Sequence, residues 1–147
     1  YIAAYASGIQ DGTANSGGYD IFLLKYSTSN NTKQWTRYYG SSSDEFVYDV
    51  ELDSSNNVYV IGETAGNLDG TNSGGKDVFL VKYNSSGTKQ WTKQLGSSSD
   101  DIAQGIAIDN SSNIYVVGYT DGELDGSANS GDDDYFIIKY DSNGNKQ

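Results

Sequence analysis

The chain has 147 residues, of which 18 are glycine and none is histidine or cysteine, and its formal net charge is −11. Without histidine and cysteine it lacks the most common general base and any thiol nucleophile, so we expect no catalytic activity. The acidic charge argues against nucleic acid as a partner, because phosphates need a surface of Lys and Arg, and without a run of eighteen apolar residues we expect no insertion into a membrane.

The sequence repeats itself with a period of about 56 residues. Residues 1–12 return without a gap at 59–70 and again at 115–126. Two further blocks recur later in the period, and they are found at 20–26, 77–83 and 134–140 for the first block and at 33–36 and 89–92 for the second. A fixed period of this length is typical of a repeat architecture rather than of one irregular domain.

Each period divides into short runs of β-branched and aromatic residues, separated by turns rich in Gly, Ser, Asn and Asp. The pattern predicts strands at 90–95, 102–109, 114–120 and 134–140, with their equivalents in the other copies. Four antiparallel strands per period make one propeller blade. We therefore predict an all-β fold of about two and a half β-propeller blades.

The first strand of each blade is predicted to be the innermost, because converging strands leave room only for small side chains. Strict alternation in the third copy puts Ile102, Ile106 and Ile108 on one face of this strand. The small residues Ala103, Gly105 and Ala107 then lie on the other face.

Counting strands from the axis outward divides the chain into three blades. Residues 1–39 hold strands two to four of one blade, residues 40–95 hold a complete blade, and residues 96–147 hold strands one to three of another. Ten strands are predicted in total. The repeat is cut within a unit at both ends, which indicates a piece of a longer array.

The chain resembles the SBBP-type β-propeller repeats of bacteria and archaea. The residues that carry this resemblance are the stretches 53–60 and 109–116, the Gly62 and Gly118 positions, the segment 74–79, the Lys-Tyr pair and the Ser/Asn-Gly turn before Lys-Gln-Trp. The first copy departs from the pattern at Ala4, where the other copies have glycine. The resemblance implies the propeller fold and transfers no catalytic site.

Incomplete blades leave unpaired strand edges, which recruit other strands. Either the remaining blades of the same protein or other protein chains, including further copies of this one, are expected to cover them. Acidic sequences rich in Asn and Gly suit an extracellular or cell-surface location, although the same charge also serves solubility alone.

The loops between strands two and three are the candidate metal site, because they recur as Asp-Gly…Asn-Ser-Gly…Asp and offer the oxygen ligands that Ca²⁺ prefers. They lie on the same rim as Asp44, Glu45, Asp100 and Asp101. The predicted ligands are Asp11, Asn15, Asp20, Asp69, Asn72, Asp77, Asp125, Asn129, Asp132 and Asp134. The alternative is that Asp and Asn cap the turns with their side chains, while Gly supplies positive φ.

Two carboxylates on the innermost strand of the middle blade have no counterpart in the next blade. Asp49 and Glu51 stand where the third copy has Gly105 and Ala107. Ionised acids on a packed face need a partner or a cation, whereas acids that line a water-filled channel need neither. Both readings stay open.

Recurring aromatic residues suggest packing between blades, and stacking on sugars is the alternative for Trp35 and Trp91. Lys25, Lys82 and Lys139 are expected to lie along strand ends with their ammonium groups in water. Two functions remain. The first is a structural, adhesive or protein-interaction module that self-associates through blade edges, and the alternative is a calcium-dependent, lectin-like module that binds glycans.

Overall fold

A computed structural model describes residues 1–8 and 16–147, so the predicted calcium ligands Asp11 and Asn15 lie outside the described residues. The strands in chain order are β1 (Ile2–Ser7), β2 (Tyr19–Ser27), β3 (Thr32–Tyr39), β4 (Glu45–Leu52), β5 (Val58–Thr64), β6 (Asp77–Tyr83), β7 (Lys89–Leu95), β8 (Asp101–Ile108), β9 (Ile114–Thr120) and β10 (Asp134–Tyr140). In this part of the chain no helix is present that could cross a membrane.

The ten strands form three antiparallel meanders. The first sheet has the order β1-β2-β3, the middle sheet β4-β5-β6-β7 and the third sheet β8-β9-β10. The predicted all-β propeller-repeat fold is thus confirmed. The blade boundaries at 39/40 and 95/96 stay predictions, although the strands of each sheet lie within them.

The sheets pack face to face and bury two apolar clusters between them. One cluster lies between the middle and third sheets and includes Ile61, Leu80, Val116 and Ile138. The other lies between the first and middle sheets, and Phe79 belongs to it. Because successive side chains of a strand point to opposite faces, the middle sheet contributes to both clusters, and all seven residues of β5 are buried.

A β-bulge changes the predicted faces of the innermost strand. The β8–β9 register shifts between Ala103 and Gly105, so that Gln104 is the extra residue. Ala103 therefore packs in the core with Ile106, although alternation had placed it on the opposite face. Ile102 pairs with Tyr119 and shares the face of Gly105 instead. The prediction for this strand was wrong because one inserted residue reverses the alternation of everything beyond it.

The same bulge recurs in β4, between Val47 and Asp49, and it explains the glycine of β5. A Cβ on Gly62 would overlap the carbonyl oxygen of Phe46 in β4. Gly118 meets the carbonyl of Ile102 in the same way. Ala4 stands at the equivalent position of β1, which is the edge strand of its sheet in the described part of the chain. There is no inner strand beside it there, so the steric requirement for glycine is absent at this position.

The short turns 53–57, 109–113 and 141–145 lie at the end of the sheets opposite the acidic loops. They use carboxylate and amide side chains to bind their own backbone. Asp109 Oδ1 accepts hydrogen bonds from the N–H groups of Ser111 and Asn113, at 2.8 and 2.9 Å, and Asp109 Oδ2 accepts one from Asn113 Nδ2 at 2.7 Å. Asp53 and Asp141 make the same bonds in the equivalent turns. Local capping of this kind fixes the hairpins without help from the core.

Lysine and tryptophan side chains join neighbouring sheets at this rim. The ammonium group of Lys82, in β6, donates to the carbonyl oxygen of Ser142 in the third sheet at 2.8 Å. Lys25, in β2, donates to Ser85 in the same way at 2.9 Å. Trp91 belongs to the cluster between the middle and third sheets, and Gly144 of the next hairpin lies so close to its ring that a Cβ would press on it. These contacts support packing as the role of the recurring Trp, and the lysines bind a neighbouring sheet rather than water alone.

Candidate functional site: the acidic rim

Two kinds of connection lie together at one end of the sheets. The first are the loops between β1 and β2, β5 and β6, and β9 and β10, and the second are the connections from one sheet to the next, β3 to β4 and β7 to β8. We call this end the acidic rim and define it by loop residues 16–18, 40–44, 65–76, 96–100 and 121–133, together with the adjoining strand ends. Asp100 Oδ1 accepts a hydrogen bond from the N–H of Lys76 at 3.0 Å, and Asp44 Oδ1 accepts one from Tyr19 at 2.9 Å. These two repeat-equivalent bonds attach the end of the loop before β6 to the connection into the third sheet, and the start of β2 to the connection into the middle sheet.

Four carboxylates of the rim are buried where the sheets join, in two repeat-equivalent pairs. The first pair is Asp20 of the first sheet and Glu45 of the middle sheet, and the second is Asp77 of the middle sheet and Asp101 of the third sheet. Each of the four side chains is at most 1% exposed. The N–H of Asp101 donates to the carbonyl oxygen of Lys76 at 2.7 Å, which brings its backbone beside Asp77. The rim therefore holds buried carboxylates from adjacent sheets next to one another.

Glycine provides the space for these carboxylates. A single Cβ added to Gly40 would overlap both Asp20 Oδ1 and Glu45 Oε2, so these two oxygens lie on the same side of that glycine. Gly96 occupies the equivalent position, and a Cβ there would overlap the carboxylate of Asp77. The recurrence of Gly before Ser-Ser-Ser thus has a steric reason, because any side chain would displace the acid beside it.

Burial dominates the electrostatics of the pairs. It raises the pKa of Glu45, against hydrogen bonds from Ser41 and Thr64, and the charge of Asp20 raises it further. Burial likewise raises the pKa of Asp77; hydrogen bonds from Gln94 and Ser73 oppose this shift, and the charge of Asp101 adds to it. Removing a carboxylate from water favours its neutral form unless a positive charge compensates.

The predicted calcium ligands in the loops are not gathered into one group. Among residues 1–8 and 16–147, no three acidic side chains are placed so that they could hold a metal ion. Asp69 and Asp132 are exposed, while Asp125 forms an ion pair with Lys146. Calcium binding by the loops themselves stays a prediction.

The two described loop asparagines act within their own loops. Asn72 Nδ2 donates to the carbonyl oxygens of Thr64 and Gly75 at 3.4 and 3.3 Å, and its Oδ1 accepts from Gly74 at 3.0 Å. Asn129 makes the equivalent bonds with Thr120, Asp132 and Gly131. These contacts favour the turn-capping alternative for both asparagines.

The Asp at the end of each loop accepts a hydrogen bond from the backbone N–H of the residue four positions earlier. Asp20 Oδ2 accepts from Ser16 at 2.5 Å, Asp77 Oδ2 from Ser73 at 3.0 Å and Asp134 Oδ2 from Ser130 at 2.6 Å. Only one oxygen of each carboxylate is used in this bond. The other oxygen of Asp20 and of Asp77 is buried without a hydrogen-bond partner.

The two inner-strand acids of β4 have different surroundings. Asp49 Oδ2 accepts a hydrogen bond of 3.2 Å from the N–H of Ile106, in the first strand of the third sheet. Glu51 is exposed, and among the described residues its carboxylate accepts a hydrogen bond only from the neighbouring Leu52, at 3.2 Å. Asp49 is thus partnered across the joint between two sheets, whereas Glu51 faces solvent as a channel residue would.

Sequence reasoning missed an ion pair in the middle blade. Lys76 Nζ lies 2.6 Å from Oε1 of the buried Glu63, and the hydrogen bond to Glu63 raises the pKa of Lys76. The sequence does mark this position as unusual, because Glu63 stands where the other copies have Tyr5 and Tyr119. Beside this pair Tyr5 packs edge-on against Phe46, with ring centroids 4.9 Å apart.

Antiparallel meanders that stack face to face, with inner strands in contact and hairpins on both rims, define the chain as a set of β-propeller blades. The family model of the SBBP β-propeller repeat matches residues 34–69 and 90–125. The chain therefore contains SBBP β-propeller repeats, as its resemblance to that family predicted.

Two curated proteins are similar to the chain. An uncharacterized WD repeat-containing protein of Acanthamoeba polyphaga mimivirus is 31% identical over 149 residues, which cover 88% of this chain and 11% of that protein. The regulatory protein FlaEY of Caulobacter vibrioides is 27% identical over 165 residues, which cover all of this chain and 17% of that protein. The chain thus spans a small part of the length of both relatives.

Proposed function

We propose that the chain is a non-catalytic β-propeller module of a secreted or cell-surface protein, and that it acts in protein–protein interaction through its open blade face and edge. The SBBP repeat matches and the similarity to a WD repeat-containing protein support an interaction role in general. The acidic, Asn- and Gly-rich composition supports the proposed location and, with it, an adhesive role.

One observation supports interaction through the third sheet in particular. Its outward face presents Val117, Tyr135 and Ile137, which are 41%, 91% and 69% exposed. The equivalent residues of the middle sheet, Ile61, Val78 and Leu80, are at most 4% exposed, because the third sheet covers them. A repeat-equivalent apolar face that is covered in one blade and uncovered in the next fits another sheet of the same kind.

The edge of the third sheet adds a second means of association. In the middle sheet β6 pairs with β7. In the third sheet β10 is the last strand, and within the described part of the chain the only pairing on its outer side is an isolated bridge between Tyr140 and Lys146. Backbone N–H and C=O groups along such an edge can pair with a strand from another chain.

Analytical ultracentrifugation over a range of concentrations tests the proposal. We expect the unaltered chain to self-associate and the double variant Tyr135→Ser/Ile137→Ser to shift toward monomer. Leu52→Ser is the matched control, since Leu52 is also an exposed aliphatic residue, at 38%, but lies on the inner strand of the middle sheet. A chain that is monomeric at every concentration, or a control that dissociates equally, would reject association through this face.

A further inference from the structure

The joint between the middle and third sheets contains buried carboxylate oxygens to which no group of the described residues donates a hydrogen bond. Asp77 and Asp101 are 1% and 0% exposed, and the Oδ1 atom of each has no hydrogen-bond partner. Their Oδ2 atoms are bound: Asp77 Oδ2 accepts from Gln94 Nε2 at 2.9 Å and from Ser73, and Asp101 Oδ2 accepts from Ser97 at 2.5 Å. Protein donors thus hold one oxygen of each carboxylate and leave the other oxygen buried and unpaired.

Two buried negative charges without compensation are strongly unfavourable. Lys76, next to Asp77 in the chain, is paired with Glu63 instead. Asp100 and Asp121 lie on the same rim, joined by a hydrogen bond of 3.0 Å from the N–H of Asp121 to the carbonyl of Asp100, and both add negative potential. The surroundings of the pair therefore favour the arrival of a cation.

We propose that Asp77 and Asp101 together bind a calcium ion at the joint between the middle and third sheets. The donors are all oxygen, which Ca²⁺ prefers, and water can complete its coordination shell of about six to eight ligands. The ion would connect the start of β6 to the start of β8. It would link two blades, whereas the loop site expected from the sequence joins the two ends of one loop.

The equivalent pair, Asp20 and Glu45 at the joint between the first and middle sheets, serves as a comparison for calcium binding. Glu45 Oε1 accepts from Ser41 Oγ at 2.6 Å and from Thr64 Oγ1 at 2.8 Å, and Glu45 Oε2 accepts from Ser41 N at 2.8 Å. Both oxygens of Glu45 are engaged, and only Asp20 Oδ1 is left without a partner. The Asp77–Asp101 joint is therefore expected to bind calcium more tightly than the Asp20–Glu45 joint.

Isothermal titration calorimetry with calcium chloride, together with thermal unfolding in EDTA and in millimolar calcium, tests the proposal on the full chain. We expect calcium to raise the midpoint of unfolding, and Asp101→Asn to weaken calcium binding by about tenfold or more. Asp125→Asn/Asp132→Asn separates this site from the predicted loop site: calcium binding at the joint should persist in it, because the two carboxylates that it removes lie outside the joint. If Asp101→Asn fails to fold, Asp77→Asn replaces it, since an amide oxygen can still accept the bonds from Ser73 and Gln94.

Each contrary result overturns the proposal. Loss of binding in the loop variant together with retention in Asp101→Asn would place the ion in the loops. An unfolding midpoint that is the same in EDTA and in calcium would show that no ion binds. A midpoint that rises on acidification but not with calcium would show that a proton compensates the pair instead.

Discussion

Replacing Lys82 with methionine tests whether side chains on the rim opposite the acidic one join the blades. Met keeps most of the apolar stem and removes the ammonium group, which donates to the carbonyl oxygen of Ser142 and lies 5.1 Å from the ring centroid of Tyr59. A hydrogen bond from a charged group contributes about 1.5–3 kcal/mol and a cation–π contact about 0.5–1 kcal/mol. Because Lys82 is only half-buried, we expect the lower ends of both ranges, a total loss of about 2 kcal/mol in the free energy of unfolding.

Lys139→Met is the matched control. Lys139 occupies the equivalent position of β10 and lies 5.6 Å from the ring centroid of Tyr115. Among the described residues no neighbouring sheet accepts its ammonium group, so only the ring contact is lost, at about 0.5–1 kcal/mol. Urea unfolding, followed by far-ultraviolet circular dichroism, measures both variants. The reasoning is refuted if Lys82→Met is no more destabilising than Lys139→Met.

Three further predictions concern single positions. Gly62→Ala should destabilise the chain by about 1–3 kcal/mol, measured by urea unfolding, because its Cβ would meet a backbone carbonyl that cannot rotate away. Gln94→Leu should cost about 1–3 kcal/mol in the same assay, since it removes one of the hydrogen-bond donors to the buried Asp77 and the side-chain acceptor of the Leu68 N–H; an unchanged midpoint would contradict either prediction. For Asp109, hydrogen bonds from the side chain and backbone of Asn113 lower the pKa, so its contribution is complete above the unfolded pKa and is lost as the pH falls through the lower folded value. Asp109→Asn should therefore flatten the dependence of stability on pH below about pH 4, and a slope equal to that of the unaltered chain would contradict this.

The repeated features of the fold could be predicted from sequence, because each is encoded locally and appears more than once. Strands β9 and β10 begin and end where alternation placed them, and the Asp-to-Asn turns were visible as punctuation. The bulges at Tyr48 and Gln104 were not predictable, since an extra residue in a strand leaves no mark on composition or period. The bulge at Gln104 reversed the faces expected for Ile102 and Ala103.

Contacts between sheets were the other part beyond the reach of the sequence. Asp77 was placed among loop ligands, but its unpaired oxygen lies in the joint with Asp101, from the next sheet. Asp49 has its partner in the backbone of Ile106, which no side-chain pattern could indicate. A repeat shows which residues are equivalent, whereas the packing of one repeat on the next decides which of them meet.

Methyl-labelled nuclear magnetic resonance most directly tests whether the three meanders stack as blades. The account predicts nuclear Overhauser effects between Ile61 or Leu80 of the middle sheet and Val116 or Ile138 of the third sheet, which share one buried cluster. It also predicts contacts of Phe79, on the opposite face of the middle sheet, with Ile21 and Leu23 of the first sheet. Cross-strand effects confined to each meander, with none between the sheets, would contradict the stacked-blade architecture.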